Sequence, residues 1–223
     1  FAMSAYFFSF PLDAKLQQTL DDLLTNHAKG QYADPSVSVA LAIGTTDGVI
    51  KAMALDVIDI LKSGGEGAGI LGALASLMKS TMHMLIKQIM GKVSNAEQDK
   101  LAGYLSRRRV IVNGVTRFGF GMPDAIGNRF DSVLARIAAG NMANSREDLT
   151  AAMNDFTDAA TASFYGEFTG ALEPGFVRQK VVTMGRGAIV KGSHSAVGKL
   201  FAGMNDDDLK RVCAHYSSMF VKA

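Results

Sequence analysis

The glycine-rich stretch 185–199 contains the residue types that hold a phosphate group. Backbone N–H groups of a Gly-rich turn, together with the cations Arg186, Lys191 and Lys199, would bind an anion. Five residues separate Gly192 from Gly198, whereas about four separate the two glycines of a Walker loop, so the spacing departs from that motif. A mobile surface loop is the alternative interpretation. A phosphate-bearing ligand, bound by an enzyme or a binding protein, is therefore one hypothesis.

Gly67, Gly69 and Gly72 have the spacing of a dinucleotide-binding loop. That fingerprint follows a strand and is followed by an acidic residue about 20 positions later. Here the preceding residues have helical periodicity, and the next acidic residue is Glu97. The match does not predict a dinucleotide, and the sequence predicts no cofactor.

The sequence contains no set of side chains with the spacing of a metal site or a catalytic triad. None of the four histidines has a second metal ligand at a suitable spacing in the sequence. They are His27, His83, His194 and His215. Cys213 stands two residues from His215, so on a helix the two side chains point apart. Ser193 and Ser195 flank His194, but neighbours in sequence rarely form a triad. We predict no metal, and the sequence leaves open whether the chain is an enzyme and which residues would then be catalytic.

The segment 67–90 has the pattern of a basic amphipathic helix. Lys79, His83 and Lys87 fall on one face at helical spacing. The opposite face is apolar and consists of Leu71, Leu74, Met78, Leu85 and Ile89. A wide apolar face edged by lysine is typical of helices that lie in a membrane interface. The alternative is a core helix with a partly solvated edge, whose methionines fill the core.

The chain is nearly neutral overall but has a basic middle. Of its 23 basic and 21 acidic residues, residues 61–140 hold 11 and 5. Arg107, Arg108 and Arg109 form a predicted basic patch, and positive charge attracts phosphates, anionic lipid or nucleic acid. Nucleic acid is disfavoured, because aromatic side chains are not interleaved with these arginines. Alternatively, the acidic first sixty residues fold beside the middle and cancel its charge.

Helical periodicity dominates and predicts a mainly α-helical fold of about seven or eight helices. Between residues 36 and 43 a short helix ended by Gly44 and a strand are equally compatible with the pattern. The dipeptide Asn113-Gly114 between two β-branched or aromatic runs predicts a small β-hairpin near 110–120. The alternative is an α+β fold with a second short strand pair near 177–190.

Length and composition fit a single globular domain over residues 1–223. The chain is 48% apolar and has one cysteine, which excludes a disordered chain and a disulfide scaffold. Uncharged runs reach only twelve residues, below the roughly 18 of a spanning helix, so no transmembrane helix is predicted. No positive charge precedes the apolar amino terminus, so no signal peptide is predicted either. We expect synthesis in the cytoplasm, with export by a dedicated secretion system left open.

Two hypotheses for the function follow from these patterns. The favoured one is a non-enzymatic helical module, toxin-like or effector-like, whose segment 67–90 engages an anionic membrane surface or a partner protein. The alternative is an enzyme or binder that acts on a phosphate-bearing ligand through residues 185–199. The sequence does not indicate the oligomeric state.

Overall fold

Helices make up most of the structure, a computed structural model that describes residues 6–61, 66–90, 93–142, 144–172 and 176–222. The predicted mainly α-helical fold with a small β part is confirmed. The described residues contain eight helices: α1 (Ala14–Ala28), α2 (Pro35–Ile60), α3 (Glu66–Met90), α4 (Asn95–Arg107), α5 (Asp124–Ala138), α6 (residues 145–171), α7 (Phe176–Gly203) and α8 (Asp206–Ser217). They also contain four strands: β1 (Tyr6–Phe10), β2 (Arg109–Val112), β3 (Val115–Met122) and β4 (Phe220–Lys222).

Two of the helices contain a π-helical turn. In α2 the π-helical residues are Lys51–Leu55, and in α6 they are Thr161–Gly166. A π-helical turn changes the backbone bonding pattern from i+4 to i+5, and such turns frequently lie at functional sites. The sequence analysis predicted neither turn.

The four strands form one antiparallel sheet in the order β2-β3-β1-β4. Strands β2 and β3 are the predicted hairpin, which is confirmed. At its turn Asn113 and Gly114 have φ values of 51° and 77°, the two positive values that a two-residue type I′ turn requires. Strand β1 lies between β3 and β4 and brings the two ends of the described chain together.

Phenylalanine side chains join the sheet to the helices. Phe8 on β1 lies opposite Phe120 of β3 and Phe220 of β4. The ring centroid of Phe8 is 5.0 Å from that of Phe156 on α6. Aromatic pairs at such distances contribute about 0.5–1.5 kcal/mol beyond the area that they bury. The aromatic amino-terminal segment therefore packs on the core over Tyr6–Phe10, whereas residues 1–5 lie outside the described residues.

Capping residues fix several helix ends. The side chain of Asp13 caps the start of α1, and Gly30 beyond its end has a φ of 74°, as a C-terminal stop requires. Ser94 and Glu97 form the capping box of α4. Asn95 and Gln98 have the same three-residue spacing in the sequence, so the motif alone does not choose between the two pairs.

Residues 36–43 are helical, so the helical alternative is correct and the strand is wrong, but α2 does not end at Gly44 and continues to Ile60. A Cβ atom at Gly44 would stand 2.7 Å from Leu16 Cδ1, so this glycine lets α1 approach α2 closely. The longer helix buries Ile50 and Val57. Burial of such side chains, about 1.5–3 kcal/mol each, outweighs the helix-propensity cost of about 1 kcal/mol for a glycine.

The alternative of a second strand pair near 177–190 is wrong, because these residues belong to α7. Two glycines of this helix lie where other helices come close. A Cβ atom at Gly185 would stand 2.5 Å from Tyr165 Oη, and one at Gly192 would stand 2.9 Å from Leu77 Cδ2. These two glycines therefore serve the packing of α7 against α6 and α3.

Candidate functional site

Two consecutive helices, α2 and α3, are long and apolar enough to cross a membrane. This finding contradicts the predicted localisation, which rested on the absence of such a helix. The prediction ended each apolar run at a single charge, Asp47 in α2 and Lys79 in α3. Whether a helix can span a membrane depends on its length and its mean hydropathy. Such a helix tolerates a single charged residue when another group pairs with that charge. We call this pair, connected by residues 61–65, the α2–α3 hairpin.

The rest of the protein does not enclose the hairpin. In the apolar 18-residue window of each helix, 44% of α2 and 28% of α3 is buried. A helix that forms the centre of a globular core is apolar all round and mostly buried. Large apolar side chains that the hairpin exposes are Val37, Leu55, Leu77 and Met84.

Asp47 joins the two helices of the hairpin near their middle. Its Oδ2 atom is 3.4 Å from Lys79 Nζ, and its Oδ1 atom is 2.8 Å from His83 Nε2. Asp47 stands thirteen residues before the end of α2, and Lys79 stands thirteen residues after the start of α3. These equal separations from the connection mean that the helices run antiparallel in register.

Sequence reasoning did not single out Asp47 as a candidate site residue. The available signal was its position as the one charged residue of Pro35–Ile50. An isolated charge in an apolar helix requires a partner, because an unpaired charge that is partly buried is costly. Its partners stand on the next helix, so the sequence alone did not identify them.

The structure places the two predicted faces of segment 67–90 on opposite sides of α3. The apolar face points inward, and its members are buried or half-buried: Leu71, Leu74, Met78, Leu85 and Ile89. On the other face Lys79 and Lys87 are exposed, and His83 is half-buried against Asp47. The helix is thus amphipathic, and its binding to a membrane or a partner stays a prediction.

Two side chains of α8 hold the π-helical turn of α2. His215 Nε2 lies 2.9 Å from the carbonyl oxygen of Ala52, and Tyr216 Oη donates to the carbonyl of Met53 at 3.1 Å. Because a carbonyl oxygen only accepts, the Nε2 atom of His215 carries the hydrogen. Each such bond contributes about 1 kcal/mol to stability. The two polar contacts from α8 therefore hold the hairpin only weakly.

The three arginines of the predicted basic patch lie beside carboxylates. The Arg108 side chain is 5% exposed and donates to Glu167 at 2.8 Å, and Arg107 lies 3.6 Å from the same carboxylate. Arg109 pairs with Asp21 of α1 at 3.1 Å. Two carboxylates thus offset part of the charge of the three arginines, and one of them, Asp21, comes from the acidic amino-terminal segment.

The three cations of the glycine-rich stretch lie on α7. Arg186, Lys191 and Lys199 are exposed, and the backbone N–H groups around them are donors within the helix. At about 100° per residue, Lys191 is rotated by about 140° from Arg186, and Lys199 by about a further 80°. The structure does not bring the three together, and the loop on which the phosphate hypothesis depended is helical.

Within the described ranges, titratable side chains form no group of three that could hold a metal ion. Burial raises the pKa of the Cys213 thiol from 9.0 to about 12, so it stays protonated near neutral pH and is a poor nucleophile. The His194 ring lies 2.9 Å from Asp158 of α6 at the surface, within hydrogen-bond distance of a carboxylate.

An apolar cavity of about 110 Å³ lies beneath the hairpin. Leu71, Leu74 and Met78 of α3 line one side of it, and residues of α2, α4, α6 and α7 complete most of the wall. The cavity joins side chains that are far apart in the chain, so no local pattern indicated it.

The hairpin, its central Asp47 and the cavity beneath it are the candidate functional site. The arrangement places apolar surface, a compensated charge and exposed lysines on two adjacent helices. Comparisons of this chain with protein-family models, with curated proteins and with solved structures found no match.

Proposed function

We propose that the protein acts on membranes by releasing the α2–α3 hairpin from the helical bundle into an anionic lipid surface. One observation carries the proposal: two consecutive, antiparallel helices are each long and apolar enough to cross a bilayer. A helix satisfies its backbone hydrogen bonds internally, as a segment in hydrocarbon must. The function would be non-enzymatic and toxin-like or effector-like, since its effect would be to perturb a membrane.

Charge on α3 supports attraction to anionic lipid. Lys87 is exposed on the same side of the helix as Ser76 and Ser80, whereas Lys79 on that side is paired with Asp47. A lysine close to an anionic bilayer surface contributes about 1 kcal/mol to binding. The hairpin therefore combines an electrostatic attraction with an apolar face that lipid can accept.

The contacts that hold the hairpin to the bundle are largely replaceable by lipid. Its inner face is apolar, and hydrocarbon solvates leucine and methionine about as well as a protein core does. The bonds from His215 and Tyr216 add only about 1 kcal/mol each. The cavity beneath the hairpin also removes packing partners that would otherwise hold Leu74 and Met78.

Co-sedimentation and dye release with vesicles test the proposal. The full chain is added at low salt to vesicles of phosphatidylcholine alone and of phosphatidylcholine with phosphatidylglycerol. We expect sedimentation with the anionic vesicles and leakage from them. Both should decrease as salt rises, because salt screens charge attraction beyond about 10 Å at 0.1 M.

Two lysine variants provide the matched control. Lys87→Gln removes an exposed charge from the hairpin, whereas Lys15→Gln removes an exposed charge from α1. We expect the first to weaken sedimentation with anionic vesicles and the second to leave it unchanged. Absence of both sedimentation and leakage with anionic vesicles at low salt would overturn the proposal.

A further inference from the structure

The cavity beneath the hairpin is lined by uncharged side chains throughout. Among the described residues its wall includes Leu74 and Met82 of α3, Phe164 of α6, and Val197 and Phe201 of α7. No Asp, Glu, Lys, Arg or His side chain of these residues takes part in the lining. A charged ligand would therefore lose its hydration in the cavity and gain no ionic partner.

The tyrosine hydroxyls that lie near the cavity are already used. Tyr104 donates to the carbonyl of Phe164 at 3.3 Å, and Tyr165 donates to the carbonyl of Val182 at 2.8 Å. Tyr216 donates to α2, as described above. Because each tyrosine hydroxyl donates its hydrogen to a backbone carbonyl, that hydrogen is not available to a ligand. The tyrosines therefore contribute mainly their aromatic rings to the wall.

Six serine and threonine side chains of the described residues also line the cavity: Ser38, Thr45, Thr46, Thr157, Thr161 and Ser193. Thr45 Oγ1 donates to the carbonyl of Leu41 at 2.9 Å, and Thr157 Oγ1 donates to the carbonyl of Asn154 at 2.8 Å. The rest of the wall is mainly aliphatic and aromatic, so the cavity favours ligands with few polar atoms.

The size of the cavity indicates the size of the ligand. An engineered apolar cavity of about 150 Å³ in another protein, lined by Leu, Ile and Phe, binds benzene. The present cavity of about 110 Å³ is somewhat smaller, and apolar side chains make up most of its wall. We propose that it is a binding site for a small uncharged hydrocarbon group, of about the bulk of a benzene ring.

Melting curves with benzene and phenol test this inference in the absence of any membrane. The two probes have nearly the same ring, and phenol adds one hydroxyl. A ligand that binds only the folded state raises the melting temperature. We expect benzene near its solubility limit to raise the melting temperature by several degrees, and phenol at the same concentration to give a smaller rise.

Filling the cavity should abolish the effect of benzene. Ala42 lines the cavity and is 6% exposed, whereas Ala40 stands on the same helix and is exposed. We expect Ala42→Leu to lose the benzene-dependent rise and Ala40→Leu to keep it. The pair separates occupation of the cavity from a general change in helix propensity.

A second pair of variants keeps the test decisive if Ala42→Leu does not fold. Ala196 of α7 lines the cavity, and Ala188 of the same helix is exposed. The same contrast is expected between Ala196→Leu and Ala188→Leu. An equal rise with benzene and phenol, no rise with benzene, or a rise that survives cavity filling would overturn the inference. None of these outcomes depends on whether the hairpin enters lipid.

Discussion

Asp47 and Lys79 each stand thirteen residues from the connection of the α2–α3 hairpin, and their charged groups lie 3.4 Å apart. The pair sits near the middle of both helices. In a bilayer that position is the most expensive one for a charge, about 2.5–3.5 kcal/mol on insertion scales. If the hairpin enters lipid as proposed, the charge pair would reduce that cost, because neither group would enter the hydrocarbon without a partner.

Removal of one member of this pair should therefore hinder entry into lipid. Asp47→Asn leaves Lys79 without its carboxylate, and we expect dye release from anionic vesicles to fall about tenfold or more. The double variant Asp47→Asn with Lys79→Gln carries neither charge, and we expect it to restore leakage. The measurement is the initial rate of dye release at low salt.

The fold should tolerate these substitutions, because a pair this exposed contributes at most about 1 kcal/mol to stability. Melting curves of all variants should therefore lie close to that of the unaltered protein. Asp59→Asn is the matched control, since Asp59 is exposed near the end of α2. Leakage by the Asp47→Asn single variant at the unaltered rate would count against a role for the pair in insertion.

Two glycines of α7 should respond to alanine in opposite directions. At Gly185 a Cβ atom would stand 2.5 Å from Tyr165 Oη and would displace a bonded hydroxyl, whereas Gly187 has open space around it. We expect Gly185→Ala to lower the free energy of unfolding by about 1–3 kcal/mol. We expect Gly187→Ala to raise it by about 0.5–1 kcal/mol, because alanine favours the helix.

Urea denaturation followed by circular dichroism measures both changes. The two positions stand on the same helix, so a general effect of alanine would give changes of the same sign. Equal stabilisation by both variants would contradict the close packing of α7 against Tyr165.

Stability should decline at alkaline pH in part through Cys213. Burial raises the pKa of this thiol from 9.0 to about 12, so between these values the unfolded chain loses a proton that the folded chain keeps. The contribution is fully present below pH 9 and is lost as pH rises towards 12, by up to about 1.4 kcal/mol per pH unit. The check is the free energy of unfolding against pH for the unaltered protein and Cys213→Ala.

The difference between the two pH profiles isolates the thiol from buried tyrosines that titrate in the same range. We expect the unaltered protein to lose stability more steeply above pH 9 than Cys213→Ala. Parallel profiles would mean that the thiol is not shielded from solvent as its burial indicates.

Short sequence patterns predicted the structure correctly where a feature depends on residues that are close together in the sequence. The hairpin turn at Asn113 and Gly114 follows from a dipeptide that accepts two positive φ values. The amphipathic pattern of α3 follows from its helical period, and its apolar face does point inward. These features require no knowledge of distant segments.

Signals failed where a residue has its partner far along the chain. Gly44 has the pattern of a helix end, although it makes room for Leu16 of another helix. Gly185 in the same way makes room for Tyr165 of α6. A glycine that permits close packing and a glycine that ends a helix are identical in sequence.

Charges illustrate the same limit. The three consecutive arginines 107–109 form a basic cluster in the sequence. In the structure Asp21, from earlier in the chain, and Glu167, from later in the chain, lie beside them. Asp47, an isolated acidic residue in an apolar run, marks the middle of the hairpin only once α3 lies beside it. The distribution of charge in sequence therefore overstated the exposed positive surface.

The central claim, that the α2–α3 hairpin enters lipid while the rest of the chain does not, has a direct test. Met84 on α3 and Met184 on α7 are both exposed, with relative exposures of 47% and 74%. Met84→Cys and Met184→Cys are each made together with Cys213→Ala, which removes the native thiol. An environment-sensitive dye is attached at each position, and anionic vesicles with lipid-borne quenchers are added.

The account predicts a blue shift and strong quenching of the dye at position 84, and neither change at position 184. Unchanged emission at position 84 on saturating anionic vesicles would contradict the account, as would equal quenching at both positions.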